Sequence, residues 1–225
     1  MKPSLPALLS INGGFVDTAG YLALQGLFTS HVTGNFVTLG AALVHGTSGV
    51  VAKLMALPMF CAVVFATRLL STLLPAGPWP GLRMLLGVKL LLLIAGACLA
   101  VYLGPFESGD GWRALVTGMT LVSAMAIQNA IHRIHMSSTS PTTIMTGNTT
   151  QLMIDLADTV CRHLGPDASR AMQARLRRMS ASVFAFAVGC ASAALFYALR
   201  GDWCFVVPPV IALYMLTQFQ PGDSP

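Results

Sequence analysis

The chain has 225 residues, of which 55% are hydrophobic and only 9% are charged, and its net charge is +5. Soluble globular proteins carry about 25% charged residues, and the mean hydropathy here is +0.70. This composition excludes a soluble domain and predicts an all-α membrane protein whose main partner is the lipid bilayer. In such a protein the excess of Lys and Arg sets the topology, so the positive charge does not indicate a nucleic-acid partner.

Six apolar segments are long enough to cross a bilayer, because a transmembrane helix needs about 20 residues. They are residues 5–28, 50–74, 81–104, 112–134, 179–199 and 203–219. Two further segments, 32–45 and 142–164, contain more polar residues. A charge at the centre of a spanning helix costs about 2.5–3.5 kcal/mol on an insertion scale. We therefore expect each of the two to be a half-helix that enters the membrane without crossing it.

The charged side chains divide unequally between the two sides of this six-span arrangement. One side carries nine of the 13 Lys and Arg residues, namely Lys2, Arg68, Arg83, Arg133, Arg162, Arg170, Arg175, Arg177 and Arg178. The other side carries both signs, namely Lys53, Glu107, Asp110, Arg113, Arg200 and Asp202. Basic residues concentrate on the cytoplasmic side of membrane proteins, so both termini are predicted to be cytoplasmic.

The tripeptide Thr-Gly-Asn occurs twice, at 33–35 and at 146–148, each time after a long apolar segment. Asp17 lies 16 residues before the first triplet, and Asn129 lies 17 residues before the second. Three spans in each half, 1–104 and 112–219, would insert the halves with opposite orientations. The pattern predicts one membrane domain of two inverted repeats, whose half-helices meet near the midplane, where such transporters bind their solutes.

The triplets have residue types suited to such a meeting point. Gly34 and Gly147 permit a positive φ or a close backbone approach. Asn35 and Asn148 are good N-caps for the half-helices. The free N–H groups and positive dipole end of a helix N-terminus favour an anion or a polar solute. The alternative is that both triplets only cap and pack their helices.

Asp17 is an acid near the middle of the first span, with Tyr21 one helical turn later on the same face. Acids at this depth usually face a partner or a water-filled cavity, so Asp17 is either a proton-carrying site or a structural cap for the neighbouring loop. Gln128 and Asn129 offer amide groups in the fourth span. The predicted binding residues are Asp17, Tyr21, Thr33, Gly34, Asn35, Gln128, Asn129, Thr146, Gly147 and Asn148.

Other polar residues have structural explanations. His132 and His135 have metal-compatible spacing, but no third ligand is evident, so we predict neither a metal nor a cofactor. Asp155 and Asp158 share a helix face and precede Arg162, which is typical of an ordinary salt bridge.

Three further features concern packing and the membrane surface. Lys89 is expected to extend towards the cytoplasmic side, and the basic cluster 175–178 is expected to meet anionic headgroups. Small residues that include Gly189 and Ala193 permit close packing within the chain or in a homo-oligomer.

The chain resembles the YoaK family of bacterial membrane proteins, a family of unknown function. The motifs that carry the resemblance are Gly14-Phe15-Val16-Asp17, residues 28–35, Gln128-Asn129-Ala130, residues 145–150 and Asp155-Leu156. The resemblance covers nearly the whole chain. It implies a six-span inner-membrane protein that looks like a transporter, and it implies no substrate.

These observations favour a transporter or channel for a small polar or anionic solute, coupled to protons through Asp17. One alternative is a membrane-embedded enzyme on a lipid-like substrate, with Asp17, His31, Asp155 and Asp158 as acid–base groups. No nucleophile or metal set supports that alternative, and no catalytic residue is predicted. A non-catalytic membrane protein that docks another protein is the remaining alternative.

Overall fold

The computed structural model describes residues 4–73, 78–161 and 165–218. Within these ranges the chain is entirely helical, with no strand. The elements are α1 (Leu5–Ala23), α2 (Gly34–His45), α3 (Val50–Leu73), α4 (Pro78–Leu103), α5 (Trp112–His135), α6 (Met145–Cys161), α7 (Pro166–Arg200), a 3-10 helix (Gly201–Val206) and α8 (Val207–Gln218). The all-α prediction is therefore confirmed for the described part of the chain.

Four of the described stretches are long and apolar enough to cross a membrane. They are Val50–Leu73, Gly81–Leu103, Trp112–His135 and Asp167–Gln218. The last stretch contains both α7 and α8, which the sequence predicts to be two separate spans, and α1 does not qualify. A membrane protein with several spans is supported, and the number six stays a prediction. The predicted positions of Lys2, Arg162 and both chain ends lie outside the described residues.

The helices pack in pairs that repeat between the two halves of the chain. Helix α1 packs on α7, and its counterpart α5 packs on α3. The shorter helices α2 and α6 pack on α3 and α7 respectively, while α4 contacts α5 and α8 contacts α1. When α1, α2, α3 and α4 are matched in order with α5, α6, α7 and α8, each of these contacts corresponds to another contact in the same set. The first helix of each half is thus packed on the third helix of the other half.

Glycines bring α1 and α7 into backbone contact. A Cβ added to Gly14 would lie 2.3 Å from the carbonyl oxygen of Phe186, and one added to Gly189 would lie 2.1 Å from that of Ile11. Real Cβ atoms do not approach backbone atoms this closely, so neither position has room for a side chain. Ala193, one turn after Gly189, is fully buried. Small residues on α7 therefore serve helix packing within the chain, as close-packed membrane helices require.

The loop between the halves holds the start of α3. Both carboxylate oxygens of Asp110 accept backbone N–H groups, from Gly49 and Val50 at 2.9 and 3.0 Å and from Val51 and Ala52 at 2.8 and 3.2 Å. Burial alone would raise the pKa of Asp110, but these four hydrogen bonds outweigh it and hold the pKa below the ordinary value. A residue of the linker thus satisfies the free N-terminal amides of a helix in the first half.

Candidate functional site

The first loop, residues 24–33 between α1 and α2, is held by Asp17, whose side chain is buried. Its Oδ1 accepts the backbone N–H groups of Thr29 and Ser30 at 2.8 and 2.7 Å. Its Oδ2 lies 2.6 Å from Nδ1 of His31, a side chain that is 39% exposed. The carboxylate therefore acts as the cap that the sequence suggested as one alternative. It also forms an Asp–His pair that sequence reasoning did not propose.

The asparagine of each triplet closes its loop from inside the helix. Asn35 accepts the backbone N–H of Phe28 and donates to its carbonyl oxygen, both at 2.8 Å. Asn148 donates to the carbonyl oxygen of Pro141 at 2.7 Å. Both contacts span seven residues, and the second lacks one hydrogen bond because proline has no N–H. The predicted N-cap role is wrong, since α2 begins at Gly34 and α6 at Met145, so both asparagines lie within their helices.

The remaining triplet residues are less specialised than predicted. Neither Gly34 nor Gly147 has a positive φ. A Cβ on Gly34 would lie 3.2 Å from the ring of Phe28, whereas one on Gly147 would meet only a methyl group of Ile144, at an ordinary 3.7 Å. The expectation that both positions require glycine for equivalent reasons is wrong, because only Gly34 packs tightly. Thr33 and Thr146 are exposed.

The second loop, residues 136–144 between α5 and α6, is held by amide side chains. Asn129 accepts the hydroxyl of Thr143 at 2.7 Å. Gln128 donates to the hydroxyl of Thr142 at 3.2 Å and to the carbonyl oxygen of Leu9 at 2.9 Å. Its own Oε1 accepts Nζ of Lys89 at 2.6 Å. Lys89 is fully buried, so it does not extend to the membrane surface as predicted, because Gln128 satisfies it in the interior.

Each loop borders a cavity. A cavity of about 270 Å³, here the acidic cavity, is lined by Asp17, Thr18, Tyr21, Leu22, Phe28, His31, Phe186 and Cys190. A cavity of about 700 Å³, here the basic cavity, is lined by Phe60, Val64, Arg68, Asn129, Ala130, Arg133, Ile134 and Ile144.

The two cavities lie at equivalent helix pairs, because each is lined by the first helix of one half and the third helix of the other. On α1 the lining positions are 17, 18, 21 and 22, and on α5 they are 129, 130, 133 and 134, with the same spacing. Their facing walls are residues 186 and 190 of α7 and residues 60 and 64 of α3, again equally spaced. His31 and Ile144 each lie two residues before a triplet. The equivalence extends to position but not to chemistry, because Asn129 and Ile144 take the places of the Asp–His pair.

The predicted binding residues are thus divided between two places. Asp17 and Tyr21 line the acidic cavity, Asn129 lines the basic cavity, and Gln128 is buried in the interior. No hydrogen bond among the described residues joins the two triplets, since each asparagine bonds within its own loop. The contacts do not support a single site built by both triplets.

Asp155 forms a salt bridge with Arg175, a residue of the basic cluster 175–178. Asp155 is paired across helices with Arg175 of α7, whose Nε donates at 2.6 Å and whose Nη2 donates to the second oxygen, and it also accepts from Gln151 at 2.7 Å. Burial would raise the pKa of Asp155, but these hydrogen bonds outweigh it and lower the pKa. Arg175 therefore forms an ion pair within the chain, and the headgroup contact predicted for its cluster stays a prediction. The predicted pairing with Arg162 lies outside the described residues.

The histidine pair of α5 does not form part of a metal site in the described ranges. Nε2 of His132 lies 3.1 Å from the carbonyl oxygen of Thr139. Within those ranges no group of three or more His, Cys, Asp or Glu residues is placed to hold a metal ion.

Comparison with known proteins gives a family match and a similar relative. A family model described as "Protein of unknown function (DUF1275)" matches residues 5–217. The chain belongs to this family. A relative from Bacillus subtilis (strain 168), the UPF0700 transmembrane protein YoaK, is 30% identical over 167 residues, which are 69% of this chain and 68% of the relative. No solved structure matches the chain. Membership of the family confirms the resemblance to YoaK and agrees with the membrane class, and it names no solute.

Proposed function

We propose that this protein is a small six-span transporter of the bacterial inner membrane, which moves a small polar or anionic solute coupled to protons. The observation that carries the proposal is the pair of buried Asp17 and partly exposed His31, which holds the loop that interrupts the helical chain between α1 and α2 and also lines a cavity. Interrupted helices beside ionisable groups are the places where transporters of this kind bind solutes and coupling ions.

The paired helix contacts support a two-fold repeat of three spans each. An odd number of spans inverts the second half relative to the first. The lining positions lie near the C-terminal ends of α1 and α5, which under inversion point to opposite membrane faces. One cavity would then open to each side of the membrane, which is the arrangement that alternating access requires.

The geometry allows a proton to bind without releasing the loop. With Nδ1–H of His31 donating to Asp17, the second ring nitrogen makes no hydrogen bond to the described residues and is available to take up a proton. Protonation there changes the charge of the pair from negative to neutral, while Oδ1 of Asp17 keeps its backbone hydrogen bonds to the loop. Solute affinity in the acidic cavity would respond to that change in charge.

Flux measurements in proteoliposomes test the proposal. A panel of small metabolites is supplied with and without a pH gradient, and we expect the gradient to change the flux of at least one of them. His31→Gln should lose the response to the gradient, whereas Glu107→Gln, which removes an exposed acid outside the cavity, should keep it. Equal flux in protein-free vesicles would refute transport, and an unchanged gradient response in the His31 variant would refute the proton role.

The orientation is tested separately by labelling single cysteines after replacement of the five native ones. A cysteine at position 167, whose native aspartate is 98% exposed, should react with an impermeant maleimide only after the inner membrane is permeabilised. A cysteine at position 107 should react without permeabilisation. The reverse pattern would overturn the six-span arrangement with cytoplasmic termini.

A membrane-embedded enzyme is the second candidate, because Cys190 lines the same cavity as the Asp17–His31 pair. In such an enzyme Cys190 would be the thiol nucleophile, His31 its base and Asp17 the acid that orients the base. Turnover of a fluorogenic acyl ester by the purified protein, lost in Cys190→Ala, would favour the enzyme. Retention of solute flux in that variant, without any turnover in the parent, would exclude it.

A further inference from the structure

We infer that the basic cavity binds the phosphate headgroup of an anionic phospholipid between α3 and α5. This inference does not depend on transport, because it concerns a binding site whose occupancy is measured directly.

The cavity contains two guanidinium groups that face no carboxylate of the described residues. Neither Arg68 nor Arg133 pairs with a carboxylate in the part of the chain that the structure describes, whereas Arg175 makes a bidentate pair with Asp155. Arginine side chains within or beside a membrane are stabilised by anions, and phosphate oxygens match the fork of a guanidinium. Two arginines on neighbouring helices can hold one phosphate between them.

The rest of the lining is mostly apolar. Phe60 and Val64 lie on the α3 side, Ala130 and Ile134 on the α5 side, and Ile144 comes from the second loop. Val64 precedes Arg68 by one helical turn, so the apolar wall continues directly from the charged end. A charged end joined to an apolar wall fits a headgroup attached to acyl chains better than it fits a small free anion. The volume of about 700 Å³ is also far larger than an inorganic phosphate needs.

The equivalent acidic cavity lacks this chemistry, which shows that the cations are not a by-product of the repeat. Tyr21 occupies the place of Arg133. Counting along α7 with the spacing shared by the facing walls, Ala194 occupies the place of Arg68. Both arginines therefore belong to the second cavity alone. Basic pockets between membrane helices are known as headgroup sites.

Binding is measured on the purified full-length protein by native mass spectrometry. The probes are phosphatidylglycerol and phosphatidylcholine with identical acyl chains, and inorganic phosphate as competitor. We expect phosphatidylglycerol to bind more tightly than phosphatidylcholine. A basic residue near the surface contributes about 1 kcal/mol to binding anionic lipid, so Arg68→Gln and Arg133→Gln should each weaken binding about fivefold.

The control is Arg83→Gln, which removes an arginine outside the cavity and should leave the affinity unchanged. Val64→Trp should block binding by filling the apolar wall without changing the charge, and it decides the matter if an arginine variant does not fold. Equal binding of the two lipids, wild-type affinity in both arginine variants or in Val64→Trp, or full displacement by millimolar phosphate would each overturn the lipid site. The last result would identify free phosphate as the ligand instead.

Discussion

Replacing Asp17 by Ala should destabilise the protein severely, because it removes the acceptor that holds the first loop. The carboxylate accepts backbone N–H groups from Thr29 and Ser30, which are 0% and 9% exposed. A buried donor left without a partner costs about 1–3 kcal/mol, so the two amides together cost about 2–6 kcal/mol, in addition to the loss of the contact with His31. Total stabilities of folded domains are about 5–15 kcal/mol, so this is a large fraction of the free energy of unfolding.

Asp17→Asn is the matched control, because an amide oxygen can still accept both backbone N–H groups. It removes the negative charge and turns an amide nitrogen towards His31, so we expect a loss of about 1.5–3 kcal/mol. Unfolding by SDS in mixed micelles, followed by circular dichroism, measures both variants. If Asp17→Ala unfolds at the wild-type SDS fraction, or if the Asn variant loses as much as the Ala variant, the capping role of the carboxylate is refuted.

Three other predictions test the packing, the loops and the ion pair. Gly189→Ala should abolish or strongly reduce recovery of folded protein by size-exclusion chromatography, whereas Gly87→Ala, with no atom within 4 Å of the added Cβ, should behave as wild type. Asn35→Ala should cost about 1–3 kcal/mol in SDS unfolding and Asn148→Ala about half of that, because the first asparagine makes two backbone hydrogen bonds and the second makes one; equal losses would contradict the loop geometry. The pKa of Asp155 is lowered in the folded state, so its stabilisation is present above the ordinary value of about 3.9 and is lost as the pH falls through the lowered pKa. Thermal unfolding in detergent from pH 7 to pH 2 should show that loss in the wild type, and a profile of the same steepness in Asp155→Asn would contradict it.

The sequence predicts the division into halves because each half has a polar residue at nearly the same distance before a Thr-Gly-Asn triplet. The distances from Asp17 and Asn129 to their triplets survive in the structure as equivalent loop contacts. The triplet asparagines were predicted to be N-caps, since that is the preference of the residue type. Their actual role depends on where α2 and α6 begin, and single-sequence reasoning places helix ends poorly.

The sequence does not predict which helices pack together or where the cavities lie, for a physical reason. In a membrane protein both lipid-facing and protein-facing surfaces are apolar, so periodicity does not show which helix packs on which. Nothing in the sequence joins Gly14 to Phe186 or Arg68 to Arg133. The sequence named Asp17 and His31 together only as acid–base groups of the enzyme alternative, and it did not predict their contact.

The packing of each half's first helix on the third helix of the other half has a consequence for biosynthesis. Helix α1 leaves the ribosome first, yet α7, on which it packs, is made only after most of the chain has been translated. The N-terminal amides of α3 likewise stay without their acceptor until Asp110 in the linker has been translated. Neither half can complete its own interior while the other is missing, so we expect α1, with its buried acid, to stay unpacked until α7 is inserted. Co-expression of the halves as separate polypeptides should therefore rescue the stability of each, and expression of either alone should lead to its degradation.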